Sequence, residues 1–250
     1  MYRPYVPHIV IKSLFLEKII LAMAEKYNAT NIPLEQILGY IKSGEIAIPE
    51  IQRPFVWKPR QVRDLIDSLY IGYPTGYLII SQSPDMKLKD GSKASGRRIM
   101  IDGQQRVTAL MTAIAGIEVI DANFNKRRIK IAFNPLADPE NEEELFKVQD
   151  NAILKDRRWI PDIAEIFRPT FDLWSFVNEY CSRNAEISGS ELNKVLMRLL
   201  DIKNRQIGVI TLDKELTIDE VTEIFIRINS QAQPSGFRHV ENRRQYALRR

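Results

Sequence analysis

Cysteine and histidine are almost absent: Cys181, His8 and His239 are the whole supply in 250 residues. A lone cysteine excludes an intramolecular disulfide framework, and two histidines with one cysteine fall short of an ordinary structural zinc site. Long apolar runs are missing too. A membrane-spanning helix needs about 20 apolar residues, and the best candidate, Leu14 to Met23, is interrupted by Glu17 and Lys18. The N-terminus sets Arg3 and Lys12 among Pro4, Pro7 and His8, without the apolar stretch and small-residue cleavage site of a secretion signal. These absences lead us to expect a cytoplasmic protein with no membrane span.

What is present suits a globular chain, with 44% hydrophobic and 27% charged residues, enough to bury one large core or two small ones. The formal net charge is +4. The excess gathers in Lys126, Arg127 and Arg128 and in a C-terminal group of Arg238, Arg243, Arg244, Arg249 and Arg250. Such clusters are compatible with nucleic acid, and composition alone favours a solvated basic face and tail.

Helical and strand periods alternate along the chain, without repeats. Leu14 to Tyr27 reads as a helix, and Ile37, Leu38 and Ile41 mark a second after Pro33. Ile46 to Ile51 is β-like. Val62, Leu65, Ile66, Leu69 and Tyr70 recur at the spacing of an amphipathic helix that Pro59 opens. Gly72, Pro74 and Gly76 mark a turn into the strand Tyr77 to Ile80, and Ser83 to Gly96 reads as an exposed loop. In the second half Ile129, Ile131 and Phe133 alternate like a strand, and one or two helices fall between Pro161 and Cys181. Another helix covers Ser190 to Ile202, followed by a strand from Ile207 to Leu212. Thr217-x-x-Glu220 is a capping box opening a helix through Ile228.

The most informative junction is Arg98-Ile-Met-Ile-Asp-Gly-Gln-Gln-Arg106, which predicts strand, sharp turn, helix. Asp102 is a candidate N-cap, and the free N–H groups of the first helical turn are suited to an anion. Gly103 permits close backbone approach, Arg106 offers a forked cationic contact, and Gln104 and Gln105 offer amides to orient a ligand or a water. A second polar pair, Gln52-Arg53, stands between prolines and beside Phe55 and Trp57 just ahead of a helix, where display is commoner than burial.

Four ordered motifs, Ile48-Pro-Glu-Ile-Gln-Arg-Pro-Phe-Val-Trp57, Ile66-Asp-Ser-Leu-Tyr-Ile-Gly-Tyr-Pro74, Ile101-Asp-Gly-Gln-Gln-Arg106 and Phe225-Ile-Arg-Ile-Asn-Ser230, resemble the N-terminal domain of GmrSD-type modification-dependent restriction endonucleases. Gly103-x-x-Arg106-x-x-Ala109 also resembles the phosphate-binding helix start of ParB-type CTPases. The resemblance implies an α+β fold with a ParB/sulfiredoxin-like mixed sheet, surrounding helices and a helical second half. It divides the chain into an N-terminal helical extension (1–35), a nucleotide-binding core (36–135), a mainly helical part of the same domain (136–230) and a basic tail (231–250).

The resemblance further implies that the domain binds and hydrolyses a nucleoside triphosphate (NTP) with Mg2+ and couples this to sensing DNA, modified foreign DNA above all. Carried over by position, Asp102, Gln104, Gln105 and Arg106 are catalytic, and Gln52, Arg53, Gly103, Arg106 and Asn229 bind nucleotide. Within that set Arg106 and the backbone of 103–106 take phosphates, Gln104 or Gln105 takes water or ribose, and Asp102 takes metal-bound water or caps the helix. Asn229 stands between a nucleotide or DNA contact and a helix C-cap. No protein ligand set for a resident metal is expected, Lys126, Arg127 and Arg128 are the candidate DNA contacts, and homo-oligomerisation stays open.

Two departures qualify the resemblance. An HNH-like nuclease needs closely placed histidines and asparagines, whereas His8 and His239 lie at opposite ends; the expectation is a regulator of a nuclease carried on another domain or subunit. After Ser230 the chain continues Gln-Ala-Gln-Pro-Ser-Gly-Phe-Arg instead of a Leu-rich helix, as a shortened sequence would. The rival readings are a nucleotide-switched DNA- or protein-binding module without turnover, and a scaffold with neither property.

Overall fold

The computed structural model describes residues 26–48, 54–82, 97–121, 123–138 and 141–231. The helix expected from Leu14, the loop from Ser83 to Gly96, the Gln52-Arg53 pair and the basic tail lie outside the described residues, except that Tyr27 opens a strand instead of closing a helix.

The architecture is α+β. A five-stranded mixed sheet runs in the order β1 (Tyr27–Pro33), β9 (Gln206–Leu212), β3 (Leu78–Ser81), β4 (Arg98–Asp102), β2 (Ile46–Ala47). β1 and β9 pair antiparallel, β9 and β3 parallel, β3 and β4 antiparallel, and β4 and β2 parallel. The sheet therefore takes a central strand from the second half of the chain. Two hairpins stand apart from it, β5 (Val119–Ile120) with β6 (Lys126–Arg127) and β7 (Ile131–Phe133) with β8 (Phe146–Val148).

Seven α-helices are present among the described residues: α1 (Leu34–Lys42), α2 (Pro59–Ile71), α3 (Gln104–Ala113), α4 (Ile163–Ile166), α5 (Leu173–Arg183), α6 (Gly189–Leu200) and α7 (Ile218–Gln231). The apolar spacing of α2 is realised, with Val62, Leu65, Ile66, Leu69 and Tyr70 all buried. Gly72 closes that helix in the left-handed conformation, returning its N–H to Ser68 O and Leu69 O. The α2 face packs into the main core, where Tyr70, Phe133 and Phe146 form a ring cluster with centroids 5.0 to 5.7 Å apart. A smaller core of Ile79, Leu212, Leu216 and Val221 joins α7 to the sheet.

The capping box at the start of α7 forms as its spacing predicts. Thr217 N donates to Glu220 Oε2 at 3.0 Å and Glu220 N to Thr217 Oγ1 at 3.3 Å. Lys26 Nζ adds a 2.9 Å ion pair to the same carboxylate. The Lys26 hydrogen bond, followed by those from Thr217, holds the Glu220 carboxyl down at about 2. A depressed carboxyl stabilises the fold above its ordinary value, and that contribution is lost as pH falls through its folded value. The stability gap between wild type and Glu220→Gln in urea unfolding is thus expected to be constant near neutrality and to shrink as pH falls from 4.5 toward about 2. A gap independent of pH would contradict this.

Candidate functional site

The site grows from the junction between β4 and α3. Asp102 is the last residue of the strand, and Gly103, with φ 97° and ψ 4°, is the N-cap. This corrects the expectation that Asp102 caps the helix: its carboxylate turns instead toward Arg106, with Arg106 Nη2 at 3.4 Å from Oδ2. Glycine is required at 103 twice over. Its φ lies in the left-handed region, and an added Cβ would stand 2.2 Å from Leu78 Cδ2. Gly103 O accepts from Val107 N at 3.0 Å, while no side chain caps the first turn. Its leading N–H groups keep the partial positive charge of a helix start.

Arg106 ties this turn to the segment leading into β3. Its Nη1 donates to Thr75 O at 2.7 Å and its Nη2 to Tyr77 O at 2.6 Å. The guanidinium lies beside two left-handed glycines, because a Cβ would meet it at 2.8 Å from Gly76 and 3.3 Å from Gly103. Burial pulls the Arg106 pKa below its ordinary value and the Asp102 carboxylate opposes that pull; arginine keeps its charge in proteins.

The two glutamines divide. Gln104 is 8% exposed, and its Nε2 donates to Met100 O at 3.2 Å, so its amide is committed inside the junction. Gln105 faces outward and clamps a second segment: its Oε1 accepts from Val56 N at 3.0 Å and its Nε2 donates to Pro54 O at 3.2 Å. The chain directly following Gln52-Arg53 is thereby fastened to the first turn of α3, although the two motifs are half a hundred residues apart in sequence. Gln52 and Arg53 themselves lie outside the described residues. Asn229 falls within α7, which runs to Gln231, and not at its C-cap.

The basic triplet is dispersed. Lys126 is exposed. Arg127 donates to Trp57 O at 3.3 Å and stands 3.8 Å from Asp121 Oδ2. Arg128 pairs with Asp162 at 2.5 Å, the two side chains 18% and 8% exposed. Burial raises the Asp162 pKa, with Arg128 working against it. Arg127 and Arg128 therefore serve internal contacts here, and the face presented to solvent is narrower than the sequence cluster suggests.

Reading the sequence missed the carbonyls of Thr75 and Tyr77 as anchors of Arg106. The Gly72-Pro74-Gly76 turn signal was the available cue, since a glycine-rich turn brings backbone carbonyls close to a partner. A cavity of about 350 Å3 exists elsewhere, lined among others by Glu142, Glu143, Glu144, Asp150 and Asp156 against Lys147 and Arg158. None of the site residues lines it, and its excess of carboxylates repels a polyphosphate.

Among the described residues no three histidine, cysteine or acidic side chains converge as a metal cage. Magnesium needs less protein than that, because one or two carboxylates suffice when substrate phosphates and waters fill the other positions. Asp102 supplies one such carboxylate at the helix start, which fits. The family model for the N-terminal domain of the GmrSD restriction endonuclease matches residues 34–235. No curated protein matches the chain. No helix among the described residues is long and apolar enough to cross a membrane.

Proposed function

Because the chain belongs to the family of GmrSD restriction endonuclease N-terminal domains, we propose that it binds and hydrolyses a nucleoside triphosphate with magnesium and uses this to gate a nuclease carried elsewhere in the restriction system. The observation that carries the reading is the Gln105 clamp. It fastens the segment after Gln52-Arg53 to a helix start that has no side-chain cap and has a half-buried arginine beside it. The segment from Pro54 to Val56 and the Asp102 to Arg106 turn, distant in sequence, thus border one anion-favouring place.

In this reading the phosphates rest on the first-turn N–H groups of α3, approached through Gly103 and balanced by the Arg106 charge. Asp102 would hold the magnesium, whose charge would offset the negative charge that develops on the phosphates. The same Asp102 carboxylate is assigned the attacking water, since Gln104 and Gln105 both spend their Nε2 groups on backbone carbonyls. Those two residues act by positioning: Gln104 fixes the strand-to-helix turn and Gln105 fixes the second wall. Catalysis then comes from alignment and charge, which is what phosphoryl transfer to water chiefly needs.

DNA is the sensed partner, with Lys126 the exposed member of its basic triplet. A second reading, a nucleotide-switched binding module without turnover, draws support from the same commitment of both glutamines. Phosphate release from a panel of NTPs with Mg2+, with and without duplex DNA, separates the two. Turnover that DNA alters supports the hydrolytic sensor. Nucleotide binding without phosphate release selects the switch module, and no nucleotide binding leaves a scaffold.

A further inference from the structure

The β5–β6 hairpin presents Asn123, Phe124, Asn125 and Lys126 to solvent. Phe124 is 84% exposed, so its ring adds almost nothing to either core. Its φ is +61°, a region that glycine and asparagine enter more readily than phenylalanine. A turn selected for stability alone would place one of them there, and asparagines stand on both sides.

The described residues of the tip are tied by hydrogen bonds. Asp121 Oδ1 accepts from Asn123 N at 2.8 Å and from Asn125 N at 3.0 Å. Phe124 N donates to Asp121 O, and Asp121 N to Asn125 O, both at 3.0 Å. The root is equally fixed: Phe55 N donates to Ile120 O at 3.1 Å, and the Arg127 guanidinium carbon stands 5.9 Å from the centre of the Phe55 ring. An exposed aromatic is thus carried on a hydrogen-bonded turn, with asparagines at its flanks and a lysine beyond it.

That chemistry suits duplex DNA. Apolar wedges enter between base steps, amides read groove edges, and lysines meet phosphates. A protein partner would call for a wider apolar rim around the aromatic, whereas the flanking Asn123 and Asn125 are polar and the exposed Ile120 stands at the root of the hairpin. We propose that the β5–β6 hairpin is a DNA-inserting finger, with Phe124 wedged between base pairs and Lys126 on the adjoining phosphate. The inference rests on the DNA-sensing reading above and adds to it the element that touches the bases.

The test uses the whole chain and short duplexes carrying 2-aminopurine at pyrimidine–purine steps, with unmodified cytosine or 5-hydroxymethylcytosine. Unstacking raises the probe's fluorescence, and anisotropy reports binding. Wild type is expected to raise the fluorescence. Phe124→Ala, which removes an exposed ring, is expected to bind roughly 5- to 100-fold more weakly without the rise, and Phe124→Trp to restore both. Lys126→Ala is expected to flatten the salt dependence by about one unit of slope. DNA binding by wild type without a fluorescence rise, or with a rise that Phe124→Ala retains, overturns the finger and leaves DNA sensing standing. Absence of DNA binding by wild type overturns both, and a Phe124-dependent interaction with protein alone reassigns the tip to a protein partner.

Discussion

Arg106→Ala is expected to lower phosphate release roughly 10²- to 10³-fold, the loss typical when one pre-set donor to a developing anion is removed. The same substitution strips partners from Thr75 O and Tyr77 O, which Arg106 holds at 2.7 and 2.6 Å. Thr75 O is part-buried and Tyr77 O is open to water, so the loss costs about 1–3 kcal/mol of stability, and the activity must be read at a temperature where the variant remains folded. Arg106→Lys separates the two effects. Lysine keeps the charge at the helix start but cannot span two carbonyls and a carboxylate with a planar fork. If charge beside the phosphates matters most, the lysine variant retains more turnover than the alanine variant while both lose similar stability. Undiminished turnover in folded Arg106→Ala would remove Arg106 from the phosphate site and leave it as an anchor of the 75–77 turn.

Gly103→Ala is expected to cost about 3 kcal/mol and to abolish nucleotide binding. A left-handed backbone costs a non-glycine residue roughly 1–2 kcal/mol, and a forced methyl in a packed site adds about 1–3 kcal/mol. Here the new Cβ would meet Leu78 Cδ2 at 2.2 Å, and Leu78 is itself 4% exposed, with little room to retreat. Gly208→Ala makes the control. Its Cβ would meet Tyr77 Cδ1 at 2.6 Å, a comparable clash, but Gly208 needs no left-handed φ and Tyr77 is 59% exposed. The ring can swing away, so the expected cost is about 1 kcal/mol or less. Urea unfolding of both variants reads the difference, and equal losses would show that contact distance outweighs backbone conformation.

The helices were the legible part of this fold. The α2 spacing names its five buried residues because period 3.6 with one apolar face leaves few alternatives, and Thr217-x-x-Glu220 locates the start of α7 by chemistry that only an N-terminus uses. β1 was not legible. Tyr27 to Asn31 are all exposed, so this edge strand carries no alternation to detect and owes its form to pairing with β9. The two-residue strands β5 and β6 are too short to show a period at all.

At the site, the Asp-Gly-Gln-Gln-Arg block correctly predicted strand, turn and helix, yet not what its side chains do. A glutamine in a first helical turn looks displayed; Gln104 is buried because the left-handed Gly103 turns it back onto Met100. The Lys126 to Arg128 cluster likewise overstated the free charge. Asp162, which pairs with Arg128, is distant in sequence, and composition carries no information about such meetings.

The sheet order sets a schedule for biosynthesis. β3 receives a parallel neighbour only when Gln206 to Leu212 has been made, and Tyr27 to Pro33 waits for the same strand. A nascent chain that has reached Arg205 therefore carries β3 with one flank unpaired and β1 with no partner in the sheet. Such delayed, long-range pairing slows folding and leaves strand edges open to other chains. Expression of this protein is expected to gain from slower synthesis or from chaperones that shield the growing chain until β9 docks between the two strands that have waited for it.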